Sequence, residues 1–324
     1  MHSLRRTFAT VPTTTRCALA ILSVAAAVLT MPATGRGDTI FEVNAAFAPD
    51  GTIGEYTTSG VTVNPALITG LSNPQGIVVS GSNLFVVNFG YGTIGEYTTS
   101  GATVNASLIT GLVGPTGIAV SGSNLFVVNG NFGNNQGTIG EYTTSGTTVS
   151  ASLITGLNSP FGIAVAGSNL FVTNNAIGTI GEYTTAGVTV NPALITGLSD
   201  PIGIAVAGSN LFVSNTAIRT IGEYATSGVT VNPALITGLS DPFGIAVAGS
   251  NLFVANGGGG VGGSIGEYTT SGATVNASLV MGLNDPVDLV VVPVPEPSIA
   301  LLLSAGIVGL AVRRRRGRGT TPSL

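Results

Sequence analysis

The chain has 324 residues, 44% of them hydrophobic and only 7% charged, with a formal net charge of −4. Every base is Arg, and nine of the ten lie outside residues 38–292, where 13 carboxylates face Arg219 alone. That stretch, formally about 12 charges negative, is a poor partner for nucleic acid or anionic membrane. Its lack of Cys, His, Lys and Trp excludes disulfides, nucleophilic triads and thiolate or imidazole metal sites.

Residues 1–37 have the anatomy of an export signal. Arg5, Arg6 and Arg16 precede an apolar run from Cys17 to Met31, and small residues in "PATGRGDT" offer a cleavage point near Gly37. "RRTF" from Arg5 is similar to a twin-arginine signal, but Leu4 stands where such signals carry Ser or Thr, which favours the general secretory route. Cys17 comes before the apolar run, which argues against a lipoprotein.

From Asp38 the chain repeats itself. "IGEY" begins at Ile53, Ile94, Ile139, Ile180, Ile221 and Ile265, in steps of 41, 45, 41, 41 and 44 residues, and Pro74, Pro115, Pro160, Pro201, Pro242 and Pro286 keep the same intervals. One unit reads as four short strands, "TGIAV" from Thr116, "NLFVVN" from Asn124, "GTIGEYTT" from Gly137 and "TTVSASLITGL" from Thr147. Four strands per repeat of this length predict a propeller blade. Strands apolar on both faces suit blades packed between neighbours, and Pro65, Pro192 and Pro233 mark the fourth strand as an edge.

The array opens on "DTIFEVN", equivalent to a second strand, and closes on "DPVDLVVV", equivalent to a first. Residues 38–292 are therefore expected to form an all-β, six-bladed β-propeller of four-stranded antiparallel blades, monomeric, with the C-terminal strand completing the blade begun by the N-terminal three. The elements "P-x-GIAV", "NLFVVN" and "IGEYTTSG" resemble the repeats of NHL and streptogramin-lyase-like propellers. The lyase pattern leans on His and Trp, both absent here, so the resemblance implies the fold and carries over no catalytic residue.

Two sets of side chains could form a site. The first is one glutamate per blade, Glu55, Glu96, Glu141, Glu182, Glu223 and Glu267, readable as a ring of cation sites or as acceptors of hydrogen bonds at blade contacts; the tyrosines that follow them read as packing residues. The second gathers at one rim, where the variable loops between second and third strands meet the connections into the next blade. It comprises Asn88, Asn129, Asn174, Asn215 and Asn256 with Asp200, Asp241 and Asp285, and Asp288, which replaces a glycine of the other five units near the mouth of the central channel. Ca²⁺ or a hydroxyl-rich polymer could bind there through oxygens and amides, while ordinary turn chemistry accounts for the same residues. The near-identity of the blades favours a non-catalytic binding module over a metal-dependent lyase or lactonase, and a pure spacer stays open.

The chain ends with Pro295, Glu296 and Pro297, an apolar run over 298–312, and Arg313, Arg314, Arg315 and Arg316. This order resembles the PEP-CTERM sorting signal of Gram-negative bacteria. The resemblance implies an exosortase-type protease as partner, a precursor held in the inner membrane, and delivery to the cell surface or its matrix. Fifteen residues rise only about 22 Å as a helix, so flanking residues must help that run to span.

Overall fold

The computed structural model describes residues 37–46, 50–130, 136–257 and 261–293. The expected export signal, save Gly37, and the sorting signal beyond Pro293 lie outside them. Among the described residues no helix is long and apolar enough to cross a membrane, and the span expected over 298–312 is not among them.

Three strands open the array: β1 (Thr39–Asn44), β2 (Gly51–Thr57) and β3 (Thr62–Leu71). The second blade holds β4 (Pro74–Ser80), β5 (Asn83–Asn88), β6 (Thr93–Thr98) and β7 (Thr103–Ile109). The third holds β8 (Pro115–Ser121), β9 (Asn124–Asn129), β10 (Gln136–Thr143) and β11 (Thr148–Asn158). The fourth holds β12 (Pro160–Ala166), β13 (Asn169–Asn174), β14 (Thr179–Thr184) and β15 (Thr189–Ile195). The fifth holds β16 (Pro201–Ala207), β17 (Asn210–Asn215), β18 (Thr220–Ala225) and β19 (Thr230–Ile236). The sixth holds β20 (Pro242–Ala248), β21 (Asn251–Asn256), β22 (Val261–Thr269) and β23 (Thr274–Asn284), and β24 (Pro286–Val292) ends the array.

Each blade is one antiparallel sheet in chain order, except the first, whose order is β24-β1-β2-β3. There β24 pairs antiparallel with β1, with Ile40 opposite Val291 and Val43 opposite Asp288. The inner strands β24, β4, β8, β12, β16 and β20 neighbour one another in that order, and β20 returns to β24, so the ring is closed. The chain is an all-β, six-bladed propeller.

The core is divided among the seams between blades. On each second strand Leu, or Ile40 in the first blade, faces the preceding blade and the next residue, Phe, faces the following one. Phe85 therefore packs with Leu125, Phe126 with Leu170, Phe171 with Leu211, Phe212 with Leu252, Phe253 with Ile40 and Phe41 with Leu84. Truncating such a Phe to Ala costs about 3–5 kcal/mol. A lone blade would expose both apolar faces, and closure covers every one.

Two glycine positions show how tightly the seams close. Gly95 of "IGEY" lies under the ring of Tyr97, whose Cε2 would stand 2.7 Å from an added Cβ. Gly101, at the tip of the β6–β7 hairpin, has φ +87° and abuts the preceding blade, where a Cβ would lie 2.8 Å from the Leu67 carbonyl oxygen.

Candidate functional site

The rim expected from the sequence exists as a bonded layer. The backbone N–H after each second strand donates to the carbonyl of the residue leading into an inner strand: Asn175 to Ser159, Thr216 to Asp200, Gly257 to Asp241 and Ala45 to Asp285. Variable loops and blade connections therefore share one face.

On that face the aspartates hold turn positions. Asp200, Asp241 and Asp285 have φ of 48°, 57° and 56°, and Asn73 and Ser159 occupy the same left-handed position in other blades. Asp and Asn tolerate this region because their short side chains bond locally, which explains the residue types without a ligand. The three aspartates come from consecutive connections and make one arc of the rim acidic. Partial burial, and then the charge of Asp241, push the Asp285 carboxyl above its ordinary range. Among the described residues no three of Asp, Glu, His or Cys converge closely enough to hold a metal ion.

The five asparagines stand at the ends of second strands, but they point inward. Asn88, Asn129, Asn174, Asn215 and Asn256 are all buried. Asn88 donates to the Tyr97 hydroxyl oxygen, and Asn129, Asn174 and Asn215 do the same for Tyr142, Tyr183 and Tyr224; burial raises each of these hydroxyls, and the bond opposes it. Asn174 Oδ1 also accepts from Asn158 N at 3.1 Å, and Asn215 Oδ1 from Ser199 N at 3.2 Å, which ties each blade to the connection before it. The Oδ1 atoms of Asn88, Asn129 and Asn256 are buried without a partner. Asn129 borders a cavity of about 250 Å³ at the seam of the second and third blades, lined also by Leu112, Val113, Thr138, Tyr142 and Ser152.

The glutamate ring is built into the blades. Asn83 Nδ2 donates to Glu96 Oε1 at 2.6 Å, and Asn124, Asn169, Asn210 and Asn251 reach Glu141, Glu182, Glu223 and Glu267 at 2.7 Å. The sequence suggested acceptance from a neighbouring blade; the donor is an amide on the adjacent strand of the same blade. In the first blade Thr39 takes the place of that Asn, opposite Thr57.

Asp288 lines the axis, as the missing glycine suggested. The axial cavity holds about 50 Å³, room for a water or two, between the inner strands' glycines and isoleucines, with Gln75, Thr116 and Phe161. Asp288 Oδ2 accepts from Ile77 N at 3.0 Å across the seam to the second blade. Burial pushes its carboxyl up to about 7 against the opposing bonds from Ile77 and Leu289. Protein atoms surround the carboxyl group, yet the residue keeps part of its surface open to the channel. The open surface governs the energetics, because channel water can reach the charge.

Sequence reading missed Glu42. It stands where the other second strands carry Val86, Val127, Val172, Val213 or Val254, and that break in the repeat was a readable signal. Its side chain is inaccessible, Oε2 accepts from Asn44 Nδ2 at 2.9 Å and Oε1 has no partner. Desolvation raises it well above the carboxylate range, with the Asn44 bond opposing. Also missed were Thr173 and Ser214, whose hydroxyls accept from Gly162 N and Gly203 N and donate to the carbonyls of Ile202 and Phe243 in the next blade.

Residues 293–316 are a PEP-CTERM protein-sorting motif. The PEP-CTERM motif marks the chain as an exported protein that an exosortase processes. No curated protein matches the chain. Among solved structures, a chain of the "Crystal structure of Nidogen/Laminin Complex" is similar over 79% of this chain and 98% of its own, at 16% identity and TM-score 0.62. The "Streptogramin B lyase structure" is similar over 78% and 91%, at 21% identity and TM-score 0.56. At these identities the likeness is one of fold.

Proposed function

We propose that this protein is a non-catalytic binding module of the cell surface or extracellular matrix, exported from a Gram-negative bacterium and delivered through its PEP-CTERM motif. The observation that carries the reading is how the repeated polar groups are used. Five of the six glutamates and four asparagine–tyrosine pairs are engaged inside blades, and the axial cavity of about 50 Å³ is too small for a substrate. What remains to face a partner is the acidic arc of Asp200, Asp241 and Asp285, the variable loops and an uncharged perimeter, a surface suited to neutral hydroxyl-rich polymers or to proteins. A chain of the nidogen/laminin complex shares the fold, so this architecture is compatible with a protein-binding role by analogy.

The test expresses the full chain in a host with a matching exosortase, with and without Pro295, Glu296 and Pro297, and follows it by fractionation. The intact chain should reach the surface or matrix and the variant should stay in the inner-membrane fraction; equal distribution defeats the delivery reading. Binding of surface polysaccharide by residues 37–293 tests the module, and failure to bind any surface component points to a spacer.

A metal-dependent lyase or lactonase is the second reading, and the axial carboxyl of Asp288 is what favours it. Thermal unfolding after exhaustive chelation, with and without Ca²⁺ or Mg²⁺, separates the two. A saturable rise in midpoint would support a bound cation.

A further inference from the structure

The seam between the second and third blades holds a cavity of about 250 Å³. At roughly 30 Å³ per water that is space for about eight waters, and it falls short of the ~300 Å³ at which drug-sized ligand pockets begin. Val113, Gln136, Ala151 and Ser152 line it and are exposed, so it opens to solvent. None of its lining residues carries a charge.

Departures from the repeat build this cavity. The connection out of the second blade reads Val113-Gly114, where the other blades carry Ser72, Asn158, Ser199, Ser240 or Asn284 at the position of Val113. In three blades the N–H at that position donates to the Asn that ends the next second strand: Asn158 to Asn174, Ser199 to Asn215 and Asn284 to Asn44, at 3.1–3.2 Å. Val113 makes no such bond. Asn129 Oδ1 is therefore an acceptor without a partner on a residue only 8% exposed, and it borders the cavity. Burying an unpaired acceptor costs stability, which an O–H entering the cavity would recover. Beside it, Asn129 Nδ2 donates to the Tyr142 hydroxyl oxygen, which leaves the hydroxyl its own proton to donate. Thr138 adds a second hydroxyl; it is half-buried, whereas Thr93, Thr179 and Thr220 at the same point of other blades are buried. Leu112, Val113 and Ala151 supply apolar walls.

We propose that this cavity binds one neutral sugar unit. A sugar hydroxyl both donates and accepts, so one such group can donate to Asn129 Oδ1 while it accepts from the Tyr142 hydroxyl, and a neighbouring hydroxyl meets Thr138. The C–H face of the ring packs against Leu112, Val113 and Ala151. An anionic sugar finds no cation among the lining residues and is repelled by the negative ring. The site deepens the binding-module reading and rests on it for the polymer that carries the sugar.

Saturation-transfer NMR of residues 37–293, a segment that closes its own ring, tests this with glucose, galactose, mannose and N-acetylglucosamine in turn and glucuronate as the charged comparison. At least one neutral sugar should give a saturable signal, and glucuronate none. Val113→Trp and Ser152→Trp, both at exposed positions, fill the cavity and should abolish the signal with unchanged circular dichroism. Ser107→Trp, the position equivalent to Ser152 in the second blade, should leave it intact. Thr138→Val and Tyr142→Phe each delete one hydroxyl and should weaken binding by about three- to tenfold. Four silent neutral sugars, binding that survives both tryptophans, binding that Ser107→Trp also abolishes, or glucuronate bound on equal terms overturns the proposal. Surface polysaccharide that still binds the Val113→Trp ring defeats this site and leaves the module reading standing. A neutral sugar lost with Val113→Trp from a ring that binds no polysaccharide upholds the site and defeats the polymer reading.

Discussion

Replacing Asp288 by Asn should flatten the pH dependence of the ring's stability between pH 4 and pH 8. Burial raises the folded carboxyl from 3.8 to about 7, so in this window the folded state binds more protons than the unfolded chain. Stability is then highest below the unfolded pKa and falls as pH rises through the folded one. A shift of about three units at 1.36 kcal/mol each sets a ceiling of roughly 4 kcal/mol, and channel water reaching the charge lowers the expectation to about 2–4 kcal/mol. In a domain of this size that is roughly 5–15 °C in melting temperature. Asn can still accept from the Ile77 N–H, so its cost at low pH should be small. Urea unfolding of wild type and Asp288→Asn at several pH values gives the result directly. The free-energy gap should widen in favour of Asn from pH 4 to pH 8. Curves that run parallel would show that Asp288 titrates normally and would refute the reasoning. Glu42→Gln on top of Asp288→Asn should remove a second component of the same sign, because burial also raises Glu42.

The seam glycines and the closing strand give two further expectations. Gly101→Ala and Gly111→Ala both force a non-glycine residue to positive φ, at about 1–2 kcal/mol, but only the first drives a Cβ to 2.8 Å from Leu67, whereas nothing lies within 4 Å of the second. Denaturant midpoints should show Gly101→Ala costing about 1–3 kcal/mol more, and equal costs would deny the close approach between blades. Ending the chain at Asp285 removes β24, leaves β1 as an open edge and uncovers the seams on both sides of the first blade. Calorimetry should find a sharp fall in melting temperature, while unchanged unfolding would mean that the ring does not depend on β24.

The repeat period, the strands within it and their order follow from sequence because they rest on local and periodic features: Pro and Gly at fixed offsets, apolar runs of strand length, and the permuted ends "DTIFEVN" and "DPVDLVVV". Asp288 was also legible, since a single departure from a near-perfect repeat announces itself. The direction of the asparagines was not. Asn88 and its equivalents sit where loops begin, and nothing in the sequence shows that a Tyr hydroxyl nine to thirteen residues on holds four of the five, Asn88, Asn129, Asn174 and Asn215, turned inward. Glu42 was readable as a break in the repeat, but its lack of solvent depends on two blades meeting across the point of closure.

Export, sorting, six blades and a strongly acidic ring were determined by the sequence alone, because charge, hydropathy and period survive in one dimension. Tertiary structure decided which polar groups remain free. Asn donors on the adjacent strand engage five of the six glutamates, and Asp200 and Asp241 serve the turns at positive φ. The Asn–Glu pairings join residues 13–17 positions apart on neighbouring strands, and only the folded blade brings them within hydrogen-bond reach.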